Sequence, residues 1–303
     1  MHNHLERNLI GYGPNPPDPQ WPGEARIAVS FVLNYEEGGE NTILNGDPAS
    51  EVYLTEVPGG TPMVGERDYS TESVYEYGSR AGFWRILRLF NERNLKFTSW
   101  AVGKALELNP AAGRAMAESG HEVASHGYRW INYKDFTLEQ ELDHIRKAFS
   151  AIEKSAGKPP VGWYTGRFGK NTLKAVVQHG GILYSSDSYN DDLPYWVKVE
   201  ATPHLVIPYT LEVNDMKFAV PPGFSQGDGW LQAMTDAFDI LYAEGARSPK
   251  MMSVGIHCRL AGRPSRAATL ARFLDYVASK PKVWVATREQ IARHWMKVHP
   301  AKG

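Results

Sequence analysis

Residues 26 to 39 read RIAVSFVLNYEEGG, a run rich in β-branched and aromatic residues that stops at two acids and two glycines. A strand with one face in water alternates apolar and polar positions, whereas a strand covered on both faces reads as a nearly continuous apolar run. Arg26 to Tyr35 is of the second kind and is expected to lie inside a parallel sheet. Its carboxyl end carries Glu36 and Glu37 into the loop above that sheet.

Strand and helix alternate outward from there. Arg80 to Arg93 has apolar residues at Phe83, Ile86, Leu87 and Phe90, the spacing of a buried helix face. Strands are expected at 96–102, 122–125, 161–164, 182–185 and 251–256, with a weaker one at 205–213, where Pro208 intervenes. Helices are expected at 110–119, 137–155, 171–179, 229–244 and 264–279. The helix at 137–155 is marked by a capping box, Thr137 with Gln140. Residues 283–286 and 288–295 close the series. About seven strand–helix repeats argue for a parallel sheet closed into a distorted (β/α)7-type barrel, a single catalytic domain over 26–303. Residues 1–25 hold Pro14, Pro16, Pro17, Pro19 and Pro22 and are expected as an extended N-terminal arm. From Glu40 to about Tyr77 the chain is polar and turn-rich, as suits a functional lid or a contact between subunits.

Charged residues make up 22% and hydrophobic ones 42%, as in an ordinary globular domain, and the formal net charge of −1 provides no footprint for nucleic acid or an anionic membrane. The single cysteine, Cys258, has no internal partner, which suits a reducing compartment. The first residues, MHNHLERNLIGYG, carry no apolar run of signal-peptide length, and no stretch is long and apolar enough to span a bilayer. A cytoplasmic location is therefore expected.

In a (β/α) barrel the loops at the carboxyl ends of the strands assemble the active site. Glu36, Glu37, His126, Tyr164, Asp187 and His257 all fall at such ends. Adjacent carboxylates in a shielded site push one pKa upward and favour a general base, although both could be solvated loop acids. The stretch GHEVASHGYRW, Gly120 to Trp130, is a strand running straight into a polar loop that carries His126.

These residues resemble the polysaccharide deacetylase family. The paired acids at the end of the first strand look like Glu36-Glu37, which implies a general base followed by a metal ligand. Ile256-His257 resembles the late-strand element that supplies the general acid. The family's loop has two histidines four apart that grip a zinc ion; His126 matches the first, and Trp130 stands at the second. An indole has one N–H and no lone pair for a metal, so the exchange removes a ligand. The resemblance is closer to the branch of metal-independent allantoinases, through YGSRAGFWR from Tyr77, GHEVASHGYRW from Gly120, GWYTGRFGKNT from Gly162, NDMKF from Asn214 and HCRLAGRP from His257.

That branch implies hydrolytic opening of the hydantoin ring of allantoin, in purine breakdown, by acid–base catalysis with no cofactor and no tightly bound metal. Glu36 or Glu37 would be the base and His257 the acid. His126 would bind substrate or orient water, and could still hold a metal weakly with Glu37. Trp130 would wall a planar ureide. Arg80, Tyr164, Arg259, Asn214 and Asp215 would pair its carbonyl and ureido groups. Asp187 would orient His257 or an arginine, or merely close a turn. Two other readings stay open: a metal-dependent cyclic imide hydrolase or carbohydrate N-deacetylase with a further ligand, and an inactive barrel that binds a ligand. The arm and the long loop suit a homo-oligomer, with a tetramer favoured.

Overall fold

The computed structural model describes residues 1–301. The strands are β1 (His2–Asn3), β2 (Ile27–Tyr35), β3 (Phe97–Ala101), β4 (Glu122–Ser125), β5 (Gly162–Trp163), β6 (Tyr184–Ser185), β7 (Tyr195–Val199), β8 (Thr202–Val206), β9 (Lys250–His257) and β10 (Val283–Val285). The helices are α1 (Tyr69–Tyr77), α2 (Phe83–Glu92), α3 (Gly103–Leu108), α4 (Pro110–Glu118), α5 (Leu138–Ala156), α6 (Thr172–His179), α7 (Gly227–Glu244), α8 (Pro264–Ala278) and α9 (Arg288–Val298). The sheet runs β1-β7-β8-β6-β5-β4-β3-β2-β10, with β9 also paired to β2, and every ladder is parallel except β7 with β8. The result is an α/β fold of parallel strands and packed helices, a distorted barrel whose seven staves are β2, β3, β4, β5, β6, β8 and β9.

Among the described residues no ladder joins β8 to β9. Pro208, just past β8, has no N–H to give one. Arg288 bridges the gap instead, donating to the carbonyls of Ile207 and Pro208 at 2.6 Å each, to Ser253 Oγ at 2.9 Å and to Ser186 Oγ at 3.1 Å. No helix among the described residues is long and apolar enough to cross a membrane.

Successive strand residues face opposite sides, and this period sorts the whole core. Val32, Trp100 and Ala124 pack inside the barrel with Tyr164 and Tyr209. Phe31, Leu33 and Tyr35 belong to the outer core with Phe83, Ile86, Phe90 and Phe273 of the helices. Each such fully buried side chain contributes roughly 1.5–3 kcal/mol relative to exposure. By the same period Asn34 follows Val32 inward, and so does Glu36 one step beyond. His126 follows Ala124, and His257 follows Gly255, where a side chain would run into Tyr209 Oη and Asn214.

Two local expectations are corrected. Part of the segment from Glu40 to Tyr77 is helical: α1 is capped by Asp68, whose carboxylate accepts the Thr71 N–H, and it continues through a widened turn, Gly78–Gly82, into α2. YSTESVYEY carries no apolar stripe, so helical spacing could not reveal it. The two glycines of that turn let the helix approach the strand ends closely, since a side chain at Gly78 would meet Glu37 and one at Gly82 the Cys258 carbonyl. The strand expected at 205–213 begins at Thr202 and ends at Val206, forming a hairpin with β7. The extended arm is anchored on the domain: β1 pairs with β7, and Trp21 is buried against Trp284, His294 and Trp295 with its Nε1–H on the Lys250 carbonyl. The domain expected to reach residue 303 is described to 301; residues 302 and 303 lie outside the described ones.

Candidate active site

The inward parity of β2, β4 and β9 brings three titratable groups to one point at the carboxyl end of the barrel. Glu36 Oε1 lies 3.2 Å from His126 Nε2 and 3.7 Å from His257 Nε2. All three are buried, and they line a cavity of about 110 Å³ with Asn34, Trp130, Tyr164, Tyr209 and Asn214. The loop after Glu40 covers it: Tyr53 and Leu54 form part of the wall. Larger hollows lie under the N-terminal arm, one of about 690 Å³ and one of about 490 Å³. Neither holds this group, and chemistry outranks size in choosing the site.

His257 is fixed from behind. Its Nδ1–H donates to Asp215 Oδ1 at 2.6 Å, and Asp215 Oδ2 accepts the backbone N–H groups of His257 (2.8 Å) and Ala261 (2.9 Å). The bond at Nδ1 aims Nε2 at the cavity. Asp215 is fully buried. It orients the histidine and does not line the cavity, contrary to the expectation that it pairs with substrate.

The two glutamates part company. Burial works against ionisation of Glu36, but the guanidinium of Arg259, the nearby His257 and the hydrogen bond from His126 outweigh it and hold its carboxyl well below the usual carboxylate range. Glu37 faces the opposite side of the strand and packs against Gly78. Its Oε2 accepts the Glu36 N–H at 2.9 Å, and Arg259 Nη1 is 3.6 Å from Oε1. Burial, with the charge of Glu36 beside it, pushes Glu37 up to about 7 against the pull of Arg259. A pKa near 7 suits a base, but geometry comes first, and Glu37 does not reach the cavity.

Arg259 Nη1 stands 2.7 Å from Glu36 Oε2, with no side-chain exposure, and Nε donates to the Leu54 carbonyl at 2.9 Å. The Nη1 contact is close but out of line, so Nη1, Nη2 and Glu36 Oε2 lack an aligned hydrogen-bond partner. Arg259 thus supports Glu36 from behind the cavity wall and was wrongly expected to contact substrate. Arg80 is a further correction: its side chain is 78% exposed and pairs with Glu76, because its place in the widened turn points it to solvent. Asp187 orients neither His257 nor an arginine. It accepts the N–H groups of Thr165 and Gly166 at 2.7–3.1 Å and so shapes a wall turn, and burial pushes it up to about 6. Tyr164, Asn214, His126 and Trp130 line the cavity as expected residues. Arg167 and Tyr189 do so unforeseen. Arg167 stacks 3.8 Å from the centre of the Trp130 ring and bonds Glu51, while Tyr189 Oη meets Tyr164 Oη at 2.9 Å.

The "Polysaccharide deacetylase" family model matches residues 68–181. A Schizosaccharomyces pombe protein assigned to the polysaccharide deacetylases is 48% identical over 98% of both chains. The chain belongs to the polysaccharide deacetylase family. As a member of this family it is a hydrolase by kinship. A Pseudomonas aeruginosa PAO1 structure assigned to the same polysaccharide deacetylases is 55% identical with a TM-score of 0.95, and a crystal structure of PuuE allantoinase is 54% identical, also at 0.95. Each covers 98% of this chain and 99% of its own.

The metal expected of this family does not fit these residues. Trp130 has no lone pair to offer, and among the described residues no three His, Cys, Asp or Glu converge as ligands. A guanidinium already stands beside both glutamates, so a divalent ion drawn to them would meet a like charge.

Proposed function

We propose that this protein is an allantoinase, opening the hydantoin ring of allantoin to allantoate in ureide breakdown with its own side chains as acid and base. The observation that carries the reading is Glu36 set between His126 and the Asp215-oriented His257, on the floor of a small cavity. The full-length likeness to PuuE allantoinase supports the substrate. A cavity of about 110 Å³ walled in part by Tyr53 and Leu54 matches the size of a small planar ureide better than that of a polymer chain.

Glu36, ionised at neutral pH, takes a proton from a water held at its carboxylate as the water oxygen bonds to the ring carbonyl carbon. The carbonyl π pair moves onto oxygen. When the oxyanion collapses, the ring C–N bond breaks and the nitrogen accepts a proton from His257 Nε2, which Asp215 holds in donor orientation through Nδ1. The new carboxylic acid releases its proton to solvent, and the proton on Glu36 passes across the 3.7 Å gap to His257, restoring the starting state. His126, donating to Glu36 through Nε2, fixes the carboxylate that directs the water. Trp130 and Tyr164 give flat walls, and Asn214 an amide for the ring substituents.

The test is turnover of allantoin by protein dialysed against chelator, with Glu36→Gln alongside. Retained turnover in the stripped protein and a loss of about 10²–10⁴-fold in Glu36→Gln are expected. Activity that vanishes on stripping and returns with zinc would refute the reading.

A further inference from the structure

We propose that Arg259 is the resident cation of this site: it fills the space a metal ion would need between Glu36 and Glu37, and it positions Glu36 for catalysis. Trp130 and Tyr75 hold it there as protein ligands would hold an ion.

Five contacts place the guanidinium. Nη1 is 2.7 Å from Glu36 Oε2 and 3.6 Å from Glu37 Oε1. Nε is tied to the Leu54 carbonyl in the loop that roofs the cavity. Cζ lies 4.1 Å from the centre of the Tyr75 ring and 5.3 Å from that of Trp130. The end nitrogens have no aligned hydrogen bond, so the group acts on the carboxylates as a charge rather than as a fork. That is the way an ion acts. A buried cation needs compensation, and the Glu36 carboxylate, the Glu37 carboxyl group and two aromatic faces supply it.

The indole at position 130 therefore has a use beyond the lost lone pair. A histidine there would offer a metal one more ligand, but a divalent ion beside the guanidinium would face a like charge at close range in a dry site. On this geometry Arg259, more than Trp130, is what excludes a metal. The catalytic half of the proposal rests on the allantoinase reading; the exclusion half does not.

Zinc uptake is measured by titration calorimetry and by metal analysis after dialysis, on wild type, Trp130→His and Trp130→His/Arg259→Met. Wild type and the single variant are expected to take up none, and the double variant about one equivalent. In parallel, Arg259→Met is expected to lower kcat for allantoin by roughly 10²–10³-fold with KM held, and Arg259→Lys, which keeps the charge, to recover most of that loss. Stoichiometric zinc in Trp130→His alone overturns the exclusion. A Met variant as active as wild type, or a Lys variant no better than Met, overturns the positioning role. If a Met variant fails to fold, Trp130→His still decides the exclusion and Arg259→Lys the positioning role: kcat within about tenfold of wild type supports the charge-based role, and a loss of about 10²-fold or more in a protein that melts like wild type overturns it. A wild type inert toward allantoin refutes the substrate and leaves the zinc arms to judge the cation.

Discussion

Asp215→Asn isolates the orientation of His257 from its presence. The native carboxylate accepts three donors: the two backbone N–H groups on Oδ2 and the imidazole Nδ1–H on Oδ1. An asparagine can keep both backbone bonds through its single carbonyl oxygen, so the loop from His257 to Ala261 retains its shape. Its NH₂ group then faces Nδ1, and two donors cannot meet. The imidazole must move its proton to Nε2, and it loses the negative charge that stabilises the doubly protonated ring. One hydrogen bond to a charged group is worth roughly 1.5–3 kcal/mol of stability, so the variant should fold. Its general acid is disabled, and kcat should fall by about 10³–10⁴-fold, equivalent to roughly 4–5.5 kcal/mol of barrier, with KM little changed. The assay is steady-state formation of allantoate, with near-ultraviolet circular dichroism to verify the fold. A folded Asp215→Asn enzyme within tenfold of wild type would refute the assignment of His257 as a carboxylate-oriented acid.

Gly255→Ala should lower the melting temperature and cost roughly 1–3 kcal/mol, because the added methyl would collide with Tyr209 Oη and Asn214 inside the barrel; calorimetry showing no loss would contradict the inward parity of β9. Glu37, raised from 4.5 to about 7 when folded, binds a proton in the native state that the unfolded chain has already released between those two pH values. Wild-type stability should therefore fall as pH rises through that window, and Glu37→Gln should remove that share of the slope, on the order of 3 kcal/mol; denaturant melts at pH 5 and pH 8 with equal slopes in both proteins would refute it. We expect a homo-oligomer, with Leu5, Leu9 and Ile10 of the arm exposed and available to a second copy; a monomeric mass by light scattering would count against this.

Elements with a strong hydrophobic period were legible. The capping box of Thr137 and Gln140 sits at the start of α5, and β4 spans Glu122–Ser125 as its apolar pattern indicates. What escaped had weak local signals. α1 is stabilised by Tyr75, buried among the outer core and bonded to the Tyr53 carbonyl, so its helicity comes from contacts far along the chain. The hairpin of β7 and β8 was hidden by Pro203 and by the half-exposed residues of Tyr195–Val199. Arg167 lay inside a stretch already singled out, GWYTGRFGKNT, but only the fold reveals that its guanidinium reaches Trp130.

The roles of Glu36 and Glu37 could have been separated from sequence by counting. Side chains two apart on a strand share a face, and a large apolar residue at position 32 inside the barrel puts 34 and 36 inside with it, while 33, 35 and 37 join the helix-facing core. A pair of adjacent acids at a strand end is thus two single acids in two environments. One is drawn to the cavity and the cations that converge there, and its ionised form is favoured. The other is pressed between sheet and helix, where Gly78 makes just enough room for it, and its neutral form is favoured. The same count applied to β9 places His257 inward and Cys258 outward. Arg259 should then turn inward again, and the chain has left the strand by that point, so the guanidinium ends behind Glu36 instead of in the cavity. Parity holds only as long as the strand does, and the cation of this site is the first residue to escape it.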